Sequence, residues 1–177
     1  LLGPSFLLAV VCPLLAMLYT RTFYGVHALF KRLPGPRLLK PVLGALLTGT
    51  LGVGMYFLLG RERTVLAVLS TGYGVLQEGL QNELAMSAGL LLAVAFGKIL
   101  TTSLTIGSGG SGGVFGPGMV IGGCSGGAVG TLFHQLWPGL VPHPASFVIM
   151  GMAGFFAAAA KTPFSTLIIV SEMTGDY

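Results

Sequence analysis

Charge is scarce in this sequence. Only 8% of its 177 residues are Asp, Glu, Lys or Arg, against 53% hydrophobic. A soluble domain carries about 25% charged residues, so this chain cannot cover a globular surface with polar side chains. That excludes an ordinary water-soluble fold and leaves an all-α polytopic membrane protein, in keeping with a mean hydropathy of +0.87. Acidic residues are rarest, 5 against 9 basic. The resulting net charge of +4 is not a nucleic-acid signature, because of where it lies. Arg21, Lys31, Arg32, Arg37 and Lys40 crowd one short segment with no acidic residue among them. Flanked by apolar runs, that segment reads as a cytoplasmic loop under the positive-inside rule.

Cysteine is nearly absent. Cys12 and Cys124 stand far apart in apolar runs, which excludes a zinc site or disulfide framework and leaves two buried thiols. His27, His134 and His143 have no ligand-like spacing. No HExxH or paired intramembrane Asp occurs, so an intramembrane enzyme lacks its constellation. No initiator Met precedes Leu1, and Tyr177 follows directly on an apolar segment; the sequence reads as cut at both ends.

Apolar runs and 29 glycines fill the rest. The pattern predicts helices from Phe6 to Leu18, continuing to about Lys31, and from Lys40 to Leu59, with Pro34-Gly35-Pro36 between them. The second, at about 20 residues or roughly 30 Å, is long enough to cross a bilayer. Thr64 to Gln77, broken by Gly72 and Gly74, is a partial helix, and Glu78 to Glu83 a polar break. Further spans are expected at Glu83 to Ile106 and Gly116 to Leu136. Trp137-Pro138-Gly139 and Pro142-His143-Pro144 then form a loop before Ala145 to Ala160 and Pro163 to Thr174. Thr162 is a natural N-cap ahead of Pro163. The last helix, about 12 residues or roughly 18 Å, is shorter than the bilayer core. Such uneven, interrupted helices suggest a transporter or channel whose half-helices aim their ends at an ion.

The chain turns on Gly107-Ser108-Gly109-Gly110-Ser111-Gly112-Gly113-Val114-Phe115-Gly116-Pro117. Bare backbone at membrane depth is tolerated only when buried in protein or lining a cavity. Pro117 suits a helix start, which places the Val114 and Phe115 amides at the positive end of a helix dipole, a place for an anion. A dinucleotide fingerprint, formally matched at Gly107–Gly112, needs a strand before it and an acidic residue about 20 positions later; the next acidic residue is Glu172. A Gly/Ser linker is the bland reading, but the flanking spans leave it no aqueous place to flex. Gly118, Gly122, Gly126 and Gly130 recur every four residues, with Gly123 and Gly127 beside them. That spacing makes a smooth ridge for another helix. Lys98 lies deep in a span: it is either a cation on an anion's route or a lysine paired structurally or snorkelling. Lys161 and Glu172, near the ends of the last helix, are given structural roles.

Gly112-Gly113-Val114-Phe115-Gly116-Pro117 resembles the GxFxP anion-binding motif of the CLC chloride channels and chloride/proton antiporters. Gly97 to Leu104 is similar to the helix leading into that motif. Met152 to Ala160 and Lys161-Thr162-Pro163 through Glu172-Met173-Thr174 resemble the two helices that follow. The likeness is specific from about Leu84 on. It implies broken, tilted membrane helices in an inverted-repeat architecture, with residues 1–177 a single transmembrane fragment forming most of the second repeat. It implies an anion site at Gly113, Val114, Phe115, Gly116 and Pro117, with Lys98 near the pathway. Chloride is then the transported ion, joined by protons in an antiporter, with no cofactor and no nucleic-acid partner. The implied setting is a multi-pass homodimer in the cell membrane, voltage-gated if a channel, with the helix from Pro163 at the dimer interface. The family's serine motif, its gating-glutamate motif and its final-helix tyrosine have no counterpart here, so this fragment is not expected to conduct alone. A different secondary transporter with discontinuous helices, carrying another small ion, is the alternative.

Overall fold

The computed structural model describes residues 2–81, 86–139, 141 and 143–175. Among these, seven α-helices and no strand occur: α1 (Leu2–Arg32), α2 (Leu39–Leu58), α3 (Tyr73–Gln81), α4 (Ala88–Gly107), α5 (Phe115–Leu136), α6 (Ala145–Ala160) and α7 (Pro163–Thr174). A short 3-10 helix, Arg63–Val68, lies between α2 and α3. By length and composition α1, α2 and α4 can cross a bilayer. The expected span at α5 has the length, with 22 residues, but is not among these three. Its glycines lower its apolarity, and protein rather than lipid surrounds it.

α5 is the hub of the packing. Every residue from Gly118 to Ala128 is buried, the mark of a helix enclosed on all sides. Its most extensive neighbour is α6, followed by α4, while α1 packs on α4 and α6. The glycine ridge explains the α5–α6 contact. A methyl group at Gly122 would overlap the Gly151 carbonyl oxygen, and one at Gly126 would overlap that of Phe147. At Gly130 it would lie 2.8 Å from the Phe147 Cβ. Gly123 and Gly127 turn instead toward Leu76, Val148 and Leu91. Backbone meets backbone here, the close approach that small residues permit.

Cys12 and Cys124 are buried free thiols, as composition indicated. Several boundaries differ from expectation. α1 is one helix from Leu2, so Arg21 sits within it and only Leu33–Leu38 is loop. Pro13 lies inside the helix without ending it, and Lys31 and Arg32 in the last turn complement its negative end. Glu78 belongs to α3 rather than to a polar break. The break expected at Gly72 is present, with φ +84°, a left-handed conformation that suits glycine. α4 starts after Ser87, whose hydroxyl accepts from the Leu90 amide at 3.2 Å. Its expected start at Glu83, like Leu84, Pro142, Asp176 and Tyr177, lies outside the described residues. Thr162 precedes Pro163 as expected, but its side chain makes no cap bond. Its carbonyl accepts from both the amide and the hydroxyl of Thr166, at 3.1 and 2.7 Å. Lys161 takes a left-handed φ of 58° where α6 ends.

Candidate functional site

The site begins where α4 stops. Ser108 is the C-cap, Gly109 follows with φ +97°, and Gly110 donates its amide to Thr105 at 3.0 Å. Gly109 donates to Ile106 at 3.0 Å. These paired bonds around a left-handed glycine form a Schellman motif, which satisfies carbonyls that a helix end leaves open. Two neighbours clamp the same end. A Cβ at Gly107 would lie 3.0 Å from Val26 of α1, and one at Gly44 of α2 would lie 2.8 Å from the Leu104 carbonyl.

From there Ser111, Gly112 and Gly113 lead, outside any helix, to α5, whose N-cap is Val114. Helix starts usually carry Ser, Thr, Asp or Asn there, whose side chains accept from the first free amides. Valine cannot, and no side-chain cap is made. The first bond of the helix runs from Gly118 to the Val114 carbonyl at 3.0 Å. Pro117 is the third helical residue rather than the first. The shift is favourable: its missing N–H removes one open donor. Val114, Phe115 and Gly116 keep theirs, and among the described residues no acceptor takes them. No acidic residue stands in this first turn. Open amides at a positive helix end suit an anion.

The first turn lies between two cavities. One, of about 180 Å3, is lined by Tyr19, Val114, Gly118, Phe155 and Phe156. The other, of about 160 Å3, is lined by Gly112, Gly113 and Pro117 together with Ser70, Lys98 and Thr101. Lys98 is thus brought to the cavity beside the motif. It is only 3% exposed, and its ammonium donates to the carbonyls of Ala67, Val68 and Ser70. Lys98 is thus structurally bonded, and it also walls the cavity. Its carbonyl partners were invisible beforehand, because no spacing rule pairs α4 with residues some thirty positions upstream. Tyr73 was passed over for the same reason. Its hydroxyl comes 3.4 Å from the place of a Gly116 Cβ.

Phe115 contributes an amide to the turn, while its ring packs edge-on against Phe156 with centroids 5.0 Å apart. Phe115→Ala in the full-length protein is therefore expected to cost about 0.5–1.5 kcal/mol of stability from the lost ring pair, in addition to the buried area it gives up. Anion flux should change by no more than roughly threefold, because the main-chain donor survives the substitution. A thermal melt and a liposome flux assay check the two parts separately.

Residues 1–177 match the family described as voltage gated chloride channel. Among curated proteins, the chain is similar to the H(+)/Cl(-) exchange transporter ClcA of Vibrio campbellii, at 34% identity over 132 residues. That alignment covers 75% of this chain and 27% of the relative. ClcA of Vibrio cholerae is 40% identical over 90 residues, 51% of this chain and 19% of that protein. The ClcB-like protein of Ralstonia nicotianae is 32% identical over 148 residues, 84% of this chain and 32% of its own length. The chain thus spans about a third or less of the relatives it matches. With an all-helical, apolar fold and a family match running from end to end, this chain belongs to the voltage-gated chloride channel (CLC) family.

Proposed function

We propose that residues 1–177 form most of the second inverted repeat of a CLC-type chloride transporter, working with a first repeat and further C-terminal helices. Chloride is bound at the turn formed by Gly113, Val114, Phe115, Gly116 and Pro117, through the free main-chain amides of Val114, Phe115 and Gly116. The observation that carries this reading is the uncapped start of α5, with its free amides and no acidic residue in its first turn. Each helix-dipole contribution is modest, about 0.3–1 kcal/mol when exposed and up to ~2 when partly buried. Several must act with the amide bonds to replace the ion's hydration, and the total must stay small enough for release. Lys98 adds a full positive charge to one wall of the adjoining cavity. The similarity to ClcA proteins, which are named H(+)/Cl(-) exchange transporters, favours exchange with protons over a voltage-gated channel.

The assembly is a homodimer in the cell membrane, with α7 at the interface. Phe164, Leu167 and Ile168 on that helix are 82%, 55% and 65% exposed, an apolar face that membrane burial in a partner or lipid accommodates. The test is chloride efflux from liposomes containing the full-length protein, with proton uptake recorded at the same time. Coupled uptake is expected, and efflux without it would instead indicate a channel. Crystals of the full-length protein grown in bromide should show an anomalous peak within hydrogen-bonding reach of the Val114 and Phe115 amides. A bromide peak elsewhere, with none at these amides, rules out this placement.

A further inference from the structure

We infer that Lys98 serves as a tethered cation that caps the carbonyl end of the interrupted 3-10 helix and thereby keeps the cavity beside the glycine crossing selective for anions. This deepens the reading of the anion site and rests on it. The 3-10 helix ends at Val68, and the chain does not resume helical form until Tyr73. A helix end inside protein leaves carbonyls without partners, and these carry the negative end of the dipole. Two such oxygens, on Ala67 and Val68, converge on the Lys98 ammonium at 3.1 and 3.4 Å, joined by the Ser70 carbonyl just past the C-cap Leu69. An ammonium has three N–H donors, so acceptors and donors match one for one. A neutral amine would be a donor short and would turn a lone pair toward an oxygen.

The placement matters because of what shares the cavity. Val68, Leu69 and Ser70 border the same space of about 160 Å3 as Gly112, Gly113 and Pro117. Without the lysine, clustered carbonyl oxygens would stand within the same cavity as the α5 turn. Rings of carbonyls are what selects a dehydrated monovalent cation, the opposite of what free amides hold. Lys98 fills that cation-like position with a charge that cannot leave. Its partners among the described residues are carbonyls, not carboxylates, so no full negative charge cancels it. Thr101 reinforces the cap by donating its hydroxyl to the Val68 carbonyl at 3.0 Å. The same cap steadies the break, where Gly72, with its amide on the Ser70 hydroxyl at 3.2 Å, leads directly into Tyr73 beside Gly116.

The experiment compares full-length wild type, Lys98→Arg and Lys98→Met in liposomes, recording chloride flux and the reversal potential under a sodium chloride gradient. Wild-type chloride flux is measured first, because its absence would remove the anion reading itself rather than the role of Lys98. Lys98→Arg is expected to keep flux within roughly threefold and selectivity unchanged, since a cation still meets the carbonyls. Lys98→Met is expected to lose about tenfold in chloride flux and to shift the reversal potential toward cation permeation. A merely structural lysine would lower flux without moving the reversal potential. A monodisperse Lys98→Met protein with wild-type flux or unchanged selectivity overturns the proposal. If that variant does not yield a monodisperse protein, Lys98→Ala prepared with methylammonium replaces it. Recovery of anion-selective flux by the added cation is the expected result, and no recovery overturns the proposal.

Discussion

Gly126→Val in the full-length protein is expected to abolish the monodisperse peak in detergent size-exclusion, or to lower the melting temperature severely. The reason is the α5–α6 crossing. A Cβ at Gly126 would overlap the Phe147 carbonyl oxygen and lie 2.9 Å from the Gly151 Cα. These are backbone atoms of α6, so no rotamer change can make room and the helices must separate. Overpacking typically costs about 1–3 kcal/mol when side chains can adjust. Here the cost should exceed that range, against a total stability of about 5–15 kcal/mol for an ordinary domain. Gly25→Ala is the matching control. Nothing lies within 4 Å of a Cβ there, and it sits inside α1. It should leave the peak intact and add up to about 0.5–1 kcal/mol to helix stability. A normal peak and melt for Gly126→Val would mean that α5 and α6 do not pack as described.

The second large effect is expected at Gly110. Its amide closes the end of α4 on the Thr105 carbonyl, and a Cβ would come 2.5 Å from that same oxygen. Alanine there must break the Schellman motif or redirect the chain that leads to Val114. Displacing the free amides is expected to lower chloride flux in liposomes by roughly tenfold, equivalent to about 1.4 kcal/mol. Gly113, closer to the amides in sequence, should behave differently. A Cβ at Gly113 meets nothing within 4 Å, and its φ is not in the left-handed region. Gly113→Ala should therefore keep flux within about twofold of wild type. Equal flux for the two variants would mean that the approach does not position the turn.

This contrast marks where reading the chain by pattern stops. That the crossing mattered was legible, since a glycine run between apolar spans has few reasons to exist at membrane depth. Which of its glycines are obligatory was not legible. Gly109 needs its left-handed φ and Gly110 needs its empty side, whereas Gly113 needs neither. Pro117 illustrates the same limit. Proline near a helix start was readable, but its place as third residue depends on where the first bond forms, and Gly118 to Val114 decides that.

Local chemistry accounts for much of the fold. Apolar length specified α1, α2 and α4 as crossing elements, because a bilayer imposes a minimum run of residues whatever surrounds it. The four-residue glycine spacing marked α5 as a helix that lies closely on another, because that periodicity belongs to a single helix and needs no partner to be seen. Scarce charge excluded a water-soluble surface for the same local reason. Which helix fills the ridge, which carbonyls receive Lys98, and which cavity the Gly112–Pro117 turn borders are of another kind. Each joins residues from separate helices, and the distances between them depend on how the helices pack. Lys98 was visibly a charge in an apolar run. Only the folded chain brings it to the open carbonyls of Ala67, Val68 and Ser70, beside the cavity bordered by the start of α5.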